Sequence, residues 1–221
     1  MNNLKADYVI VGFTLAEVLI TLGVIGVVAA MTMPSVINHY QKQATVNKLK
    51  KFYTNMNQVM TLAKADNGDF STWNYKNSKE FYNNYIKPYI KNVDEVQTSI
   101  HMHGDFASGI RFIFADGTQA IFSTTSNFAQ APVFIFYNFA KNFKDTNSDD
   151  IKKPTHERFY LIINDKGVIV PPNMNLTRNT NLTNCKNAFT SPNGYFGNNG
   201  HIDCATLIYK DGWKIEKDYP W

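Results

Sequence analysis

Residues 12–34 read Gly12-Phe13-Thr14-Leu15-Ala16-Glu17-Val18-Leu19-Ile20-Thr21-Leu22-Gly23-Val24-Ile25-Gly26-Val27-Val28-Ala29-Ala30-Met31-Thr32-Met33-Pro34, and this stretch decides the fold. From residue 13 to residue 33 there are 21 residues and a single charge, Glu17. As a helix the run is about 32 Å long, the thickness of the hydrocarbon core of a bilayer. Nothing else in the chain is comparably apolar. A transmembrane helix and a secretory signal both satisfy this pattern. A secretory signal should end in small residues at its cut, and Ala29-Ala30-Met31 is a poor site.

The single charge carries more information than the apolar residues around it. An acid at bilayer depth costs on the order of a few kcal/mol and usually has a partner. The carboxylate either snorkels to the headgroups or pairs with a cation. A chain cut after Gly12 would present a new amine on Phe13. Between two staggered copies, that amine and Glu17 would set register.

Gly12-Phe13-Thr14-Leu15-Ala16-Glu17, with an aliphatic helix behind it, resembles the class III signal of type IV pilins and type II secretion pseudopilins. The resemblance covers residues 12–40. It implies that residues 1–12 are a leader, removed by a prepilin peptidase between Gly12 and Phe13, and that Phe13 is then N-methylated. It makes Glu17 the assembly acid and Pro34 a helix-bending proline. Gly23 and Gly26 become sites for local unwinding in a filament. The implied partners are the peptidase, other copies of the chain, related pilins and an inner-membrane assembly platform. The implied place is the bacterial inner membrane with the globular part outside the cytoplasm, or a cell-surface filament. A type II secretion pseudopilus subunit, a pilus subunit, a minor tip subunit or adhesin, and a DNA-uptake pseudopilin all fit this signal.

Composition sets further limits. The apolar fraction is 44% and the chain holds 16 Phe and 12 Tyr, which suits a folded core and argues against disorder. The net charge of +4 is too diffuse to point to nucleic acid. Lys42, Lys48, Lys50 and Lys51 follow the apolar run. By the positive-inside rule they favour a cytoplasmic C-terminal side, whereas the resemblance implies the reverse. Cys185 and Cys204 are the two cysteines. They read as a disulfide outside the cytoplasm or as two free thiols, and too few ligands stand nearby for zinc. The resemblance favours a disulfide closing a C-terminal loop.

After Pro34 the helix is expected to continue amphipathically over residues 34–66. Val46, Leu49, Phe52, Tyr53, Met56, Val59, Met60 and Ala63 recur at spacings of three and four, and Asp66-Asn67-Gly68-Asp69 is a stop signal. Residues 67–221 are expected to form a globular α+β head. A short helix is expected over residues 78–86. Ile110, Phe112 and Phe114 lead through Ala115-Asp116-Gly117-Thr118 into residues 120–123, a hairpin signature. Further strands are expected at residues 133–137, 159–163, 168–170 and 205–209, with an irregular loop over residues 173–199. A long helix followed by successive hairpins makes an α+β unit with the helix laid across an antiparallel sheet, the pilin-like architecture.

Few residues suggest chemistry. His101 and His103, with Asp105, are metal candidates if they share one strand face. Asp145, Asn147 and Asp149 start like a calcium loop without its glycine or its terminal glutamate, and Asn164-Asp165-Lys166-Gly167 resembles a calcium-binding turn of major pseudopilins in part. Asn175-Leu176-Thr177 and Asn181-Leu182-Thr183 match glycosylation acceptors. No nucleophile motif, phosphate loop or tight acid pair is present, so the chain reads as a structural subunit, with no enzymatic role and no required cofactor.

Overall fold

The computed structural model describes residues 12–91, 93–102, 105–124, 132–137, 158–190 and 203–221. The chain divides into two compact units, Met1–Lys42 and Gln43–Trp221.

A single helix, α1 (Leu15–Asn67), enters both units and passes through Pro34. In the first unit none of its apolar residues is buried, and the stretch is long and apolar enough to cross a membrane or to serve as a signal sequence. Two hydroxyls that would be unsatisfied in lipid fold back onto the helix. Thr21 Oγ1 donates to the carbonyls of Glu17 and Val18, both at 2.9 Å, and Thr32 Oγ1 donates to the Val28 carbonyl at 3.0 Å.

In the second unit, α1 buries Val46, Leu49, Phe52, Met56, Val59, Met60 and Ala63, one stripe at helical spacing. The helix stops where the Gly68 N–H turns back to the Lys64 carbonyl at 3.0 Å. Asp69 then caps a 3-10 turn, Phe70–Thr72, by accepting from Ser71 N. Helix α2 (Ser78–Phe81) is capped by Asn77, which accepts from Lys79 N and Glu80 N. It continues as a π-helical turn over Tyr82–Ile86, so the short helix expected over residues 78–86 is an α turn running into a π turn, and a 3-10 turn over Lys87–Tyr89 follows it.

Among the described residues six strands follow: β1 (Val93–Met102), β2 (Asp105–Phe114), β3 (Gln119–Ser123), β4 (Val133–Tyr137), β5 (Arg158–Ile163) and β6 (Ile169–Val170). They lie in chain order and every neighbouring pair is antiparallel. β1 was not anticipated, and it pairs with β2 along all ten residues of each. All five residues of β3 are buried, so that strand is covered on both faces, and its continuous apolar run fits this.

The α1 stripe and one sheet face share a core. The Phe52 ring meets Phe114 and Phe134, each at 5.9 Å between centroids and edge-on. Asn57 ties helix to sheet edge. Its Nδ2 donates to the Ile169 carbonyl at 3.0 Å and its Oδ1 accepts from the Ile169 N–H at 2.9 Å. The side-chain amide thus stands in for a further strand beside β6. The chain is an α+β protein.

Two expectations about the C-terminal region are corrected. The irregular loop over residues 173–199 contains a helix, α3 (Arg178–Thr190). Residues 205–209, expected as a strand, lie in α4 (Asp203–Lys210). Both helices are locally weak, α3 being rich in Asn and Thr, and tertiary ties hold them. The Cys185–Cys204 disulfide joins them. Arg178 donates to both oxygens of Asp211, at 2.6 and 2.8 Å, and to both of Asp218, at 2.8 and 3.0 Å. Lys210 Nζ donates to the Leu176 carbonyl and, at 3.1 Å, to Asn181 Oδ1. The buried Asp203 accepts from Asn173 at 2.6 Å and Asn184 at 2.5 Å. α4 ends in a Schellman turn: Trp213 N–H bonds to the Ile208 carbonyl at 2.8 Å and Gly212 N–H to Tyr209 at 3.1 Å, with Gly212 at φ +71°. Trp213 then packs on Tyr53 of α1 at 5.0 Å.

Candidate functional site

The residues singled out near the start of the chain meet at one place, the first turn of α1. Gly12, Phe13 and Thr14 precede the helix in non-helical backbone, and Phe13 is 89% exposed. The Gly12–Phe13 peptide bond therefore lies outside the helix's hydrogen-bonded ladder. The helix begins at Leu15.

Glu17 is held by this start. Thr14 N and Thr14 Oγ1 both donate to Glu17 Oε2 at 2.9 Å, and Glu17 N donates back to Thr14 Oγ1 at 3.2 Å. This is a capping box, with Thr14 as N-cap and Glu17 three residues on. It satisfies orphan donors of the first turn and places a carboxylate where the helix dipole is positive. Both bonds fall on Oε2, and Oε1 accepts none among the described residues. The Thr14-x-x-Glu17 spacing is itself a legible capping signature, and it assigns Thr14 a role that sequence reasoning missed.

The other assembly candidates lie on the same helix. Gly23 and Gly26 face open space, since a Cβ at either would meet nothing within 4 Å. Pro34 lies inside α1 and does not end it. The exposed surface around them is continuous, from Leu15 through Leu19, Leu22 and Ile25 to Met33 and Tyr40. What this arrangement supplies is a long apolar surface with a carboxylate fixed at its N-terminal end.

Cys185 and Cys204 form the disulfide, 4.9 Å between Cα atoms. His101 and Asp105 fall on different strands, β1 and β2, with His101 opposite Phe106 and Met102 opposite Asp105. His103 lies outside the described residues, as do Asp145, Asn147 and Asp149. Asn164 heads the β5–β6 turn with its Oδ1 taken by the N–H groups of Lys166 and Val168, at 3.1 and 2.9 Å. Of the two glycosylation patterns, Asn175 is exposed in a turn, while Asn181 is fully buried with its amide engaged by Lys210 and the Asn173 carbonyl. Among the described residues no three acid, histidine or cysteine side chains gather as a metal site.

No curated protein matches the chain, and no solved structure does. One family model matches, over residues 35–221, so it takes in α1 beyond Pro34 and the whole second unit and begins after the apolar stretch. The chain belongs to this family, a family of unknown function (DUF6613).

Proposed function

We propose that the chain is a structural subunit of a pilin-like filament, of the type II secretion pseudopilus or type IV pilus kind. It is made as a precursor and inserted through residues 13–33 in the inner membrane. A prepilin peptidase cuts it after Gly12, Phe13 is methylated, and an assembly platform builds it into a filament with other copies and related pilins. The observation that carries this reading is the junction at residues 12–17. An exposed, non-helical Gly12–Phe13 step meets a capping box whose glutamate keeps one oxygen open, at the head of an exposed apolar helix. In the filament the apolar helices would pack together, and Glu17 Oε1 would accept from the Phe13 amine of a neighbour. That pairing offsets the cost of a carboxylate in a low-dielectric core. The α+β second unit would form the outer surface.

The capping box makes the test discriminating. Glutamine serves the cap as well as glutamate does but carries no charge. Thr14→Ala loses the cap and keeps the charge. If Glu17 acts in assembly through its charge, Glu17→Gln blocks filament formation as Glu17→Ala does, and Thr14→Ala assembles. If Glu17 serves only to start the helix, Glu17→Gln assembles normally, and the proposed role is wrong. Filament yield in sheared and membrane fractions, with the soluble α+β fold checked by circular dichroism, reads both outcomes.

A further inference from the structure

Two Asn-x-Thr patterns flank Arg178, the first residue of α3. Asn175-Leu176-Thr177 precedes the helix, and Asn181-Leu182-Thr183 lies inside it. A glycan on asparagine is bulky and hydrated, so it needs an asparagine that opens to solvent. The fold separates the two patterns on that count.

Asn181 is fully buried. Its Nδ2 donates to the Asn173 carbonyl at 3.4 Å, and its Oδ1 accepts from Lys210 Nζ at 3.1 Å. A sugar on that nitrogen would force the side chain out of the join between α3 and α4. Asn175 is exposed, in a turn closed by the Leu176 N–H on the Asn173 carbonyl at 3.2 Å. Both flanks of this turn are tied to the body. Asn173 Nδ2 donates to Asp203 at 2.6 Å, and Lys210 Nζ donates to the Leu176 carbonyl. Between those ties stand Met174 and Asn175, both exposed, so the anchored turn presents the Asn175 amide to solvent. The acceptor pattern also needs the hydroxyl two residues on. Thr177 is exposed, and its Oγ1 caps α3, accepting from Thr180 N at 3.2 Å and sharing a bond with Thr180 Oγ1 at 2.9 Å. That first turn is rich in Asn and Thr, poor helix formers, so it opens readily and frees the hydroxyl for a transferase.

We propose that Asn175 is an N-glycosylation site and that Asn181 is not. The donor is a glycosyl diphosphate, carried on a lipid or on a nucleoside. The bond from the anomeric carbon to the diphosphate oxygen breaks, and the diphosphate leaves with the electron pair. The anomeric carbon bonds to Asn175 Nδ2, which gives one proton to a base of the transferase. This modification is independent of filament assembly.

Trypsin separates the two patterns by cutting after Arg178. Protein purified from the native host is reduced and digested, and peptides 167–178 and 179–186 are read by mass spectrometry with electron-transfer fragmentation. The expected result is a glycan on Asn175 in the first peptide and an unmodified second peptide. An oligosaccharide would assign a lipid-linked donor, and a single sugar a nucleotide-linked one. Asn175→Gln should lose the glycan and keep the wild-type melting midpoint. Thr177→Asp keeps a helix cap and destroys the acceptor pattern, so it should also lose the glycan with the fold intact. Peptide 167–178 without a glycan would overturn the proposal. So would a glycan on Thr177, one that persists in Thr177→Asp, or equal occupancy of Asn181.

Discussion

Replacing Asn57 with alanine should loosen the join between helix and sheet. In the wild type, the Asn57 amide pairs with both backbone groups of Ile169, at 2.9 and 3.0 Å, and Nδ2 also donates to the Tyr53 carbonyl at 3.1 Å. Ile169 is fully buried. Its N–H points away from β5 toward the helix, so no strand can take over. Alanine leaves one buried donor and one buried acceptor unpaired. Each orphan costs about 1–3 kcal/mol. Asn57 is itself partly exposed, so water reaches the site and recovers part of the loss. The net expectation is about 2–3 kcal/mol, and at roughly 2–4 °C per kcal/mol for a chain of this size the midpoint should fall by roughly 5–10 °C. Thermal melts of the full chain in detergent, followed by far-ultraviolet circular dichroism, measure this. Hydrogen exchange supplies the local readout, since the Ile169 amide should lose protection ahead of the β4–β5 ladder. Asn57→Asp keeps the acceptor for the Ile169 N–H and loses the donor, so it should fall between. A midpoint shift under about 1 °C in Asn57→Ala, with Ile169 still protected, would refute the reasoning.

Three further outcomes follow from the same geometry. The Cys185→Ser/Cys204→Ser double variant opens a loop spanning a separation of 19 residues and should lose about 3 kcal/mol in the chain-entropy model, seen as a lower urea midpoint matched by reduction of the wild type; an unchanged midpoint would contradict it. Gly167→Ala should cost at least about 2 kcal/mol, because Gly167 sits at φ +67° and a Cβ there would lie 2.7 Å from Phe70 Cβ; a melting midpoint equal to wild type would show that the turn can relax. Hydrogen bonds from Arg178 hold the Asp218 carboxyl below its ordinary value, so its contribution is present above about pH 4 and is lost as pH falls through the lowered folded value. The Trp221 indole resonance should report tail release only in strong acid. Asp218→Asn should remove that acid step, and a wild-type-like step in the variant would assign it to another group.

Long-period patterns in the sequence were the readable part of the fold. The α1 stripe from Val46 to Ala63 appears at spacings of three and four, and its residues are buried except Tyr53, which is half-buried. The Asp116-Gly117 step marks the β2–β3 hairpin, and the apolar runs at residues 133–137 and 159–163 are strands. β1 escaped notice because Asp94-Glu95-Val96-Gln97-Thr98-Ser99 has no apolar alternation, and its strand character comes from pairing with β2. α3 escaped because its Asn- and Thr-rich sequence reads as loop, and α4 escaped for the opposite reason. Ala205-Thr206-Leu207-Ile208-Tyr209 is a short apolar run that fits strand or buried helix equally, and only the disulfide and the Arg178 contacts decide. At the candidate site, Gly12, Phe13 and Glu17 stood out because an acid in an apolar run is costly. Thr14 was legible as a cap, but the glutamate drew attention away from it.

The most direct test of the assembly reading is the chemical state of the N-terminus. Mass spectrometry of the N-terminal peptide, from sheared and membrane fractions of the native host, reads it in one measurement. The account predicts a chain that begins at Phe13 with an N-methyl group. An intact Met1, or a new terminus near Ala30, would contradict it and leave the α+β unit tethered or secreted by an ordinary signal.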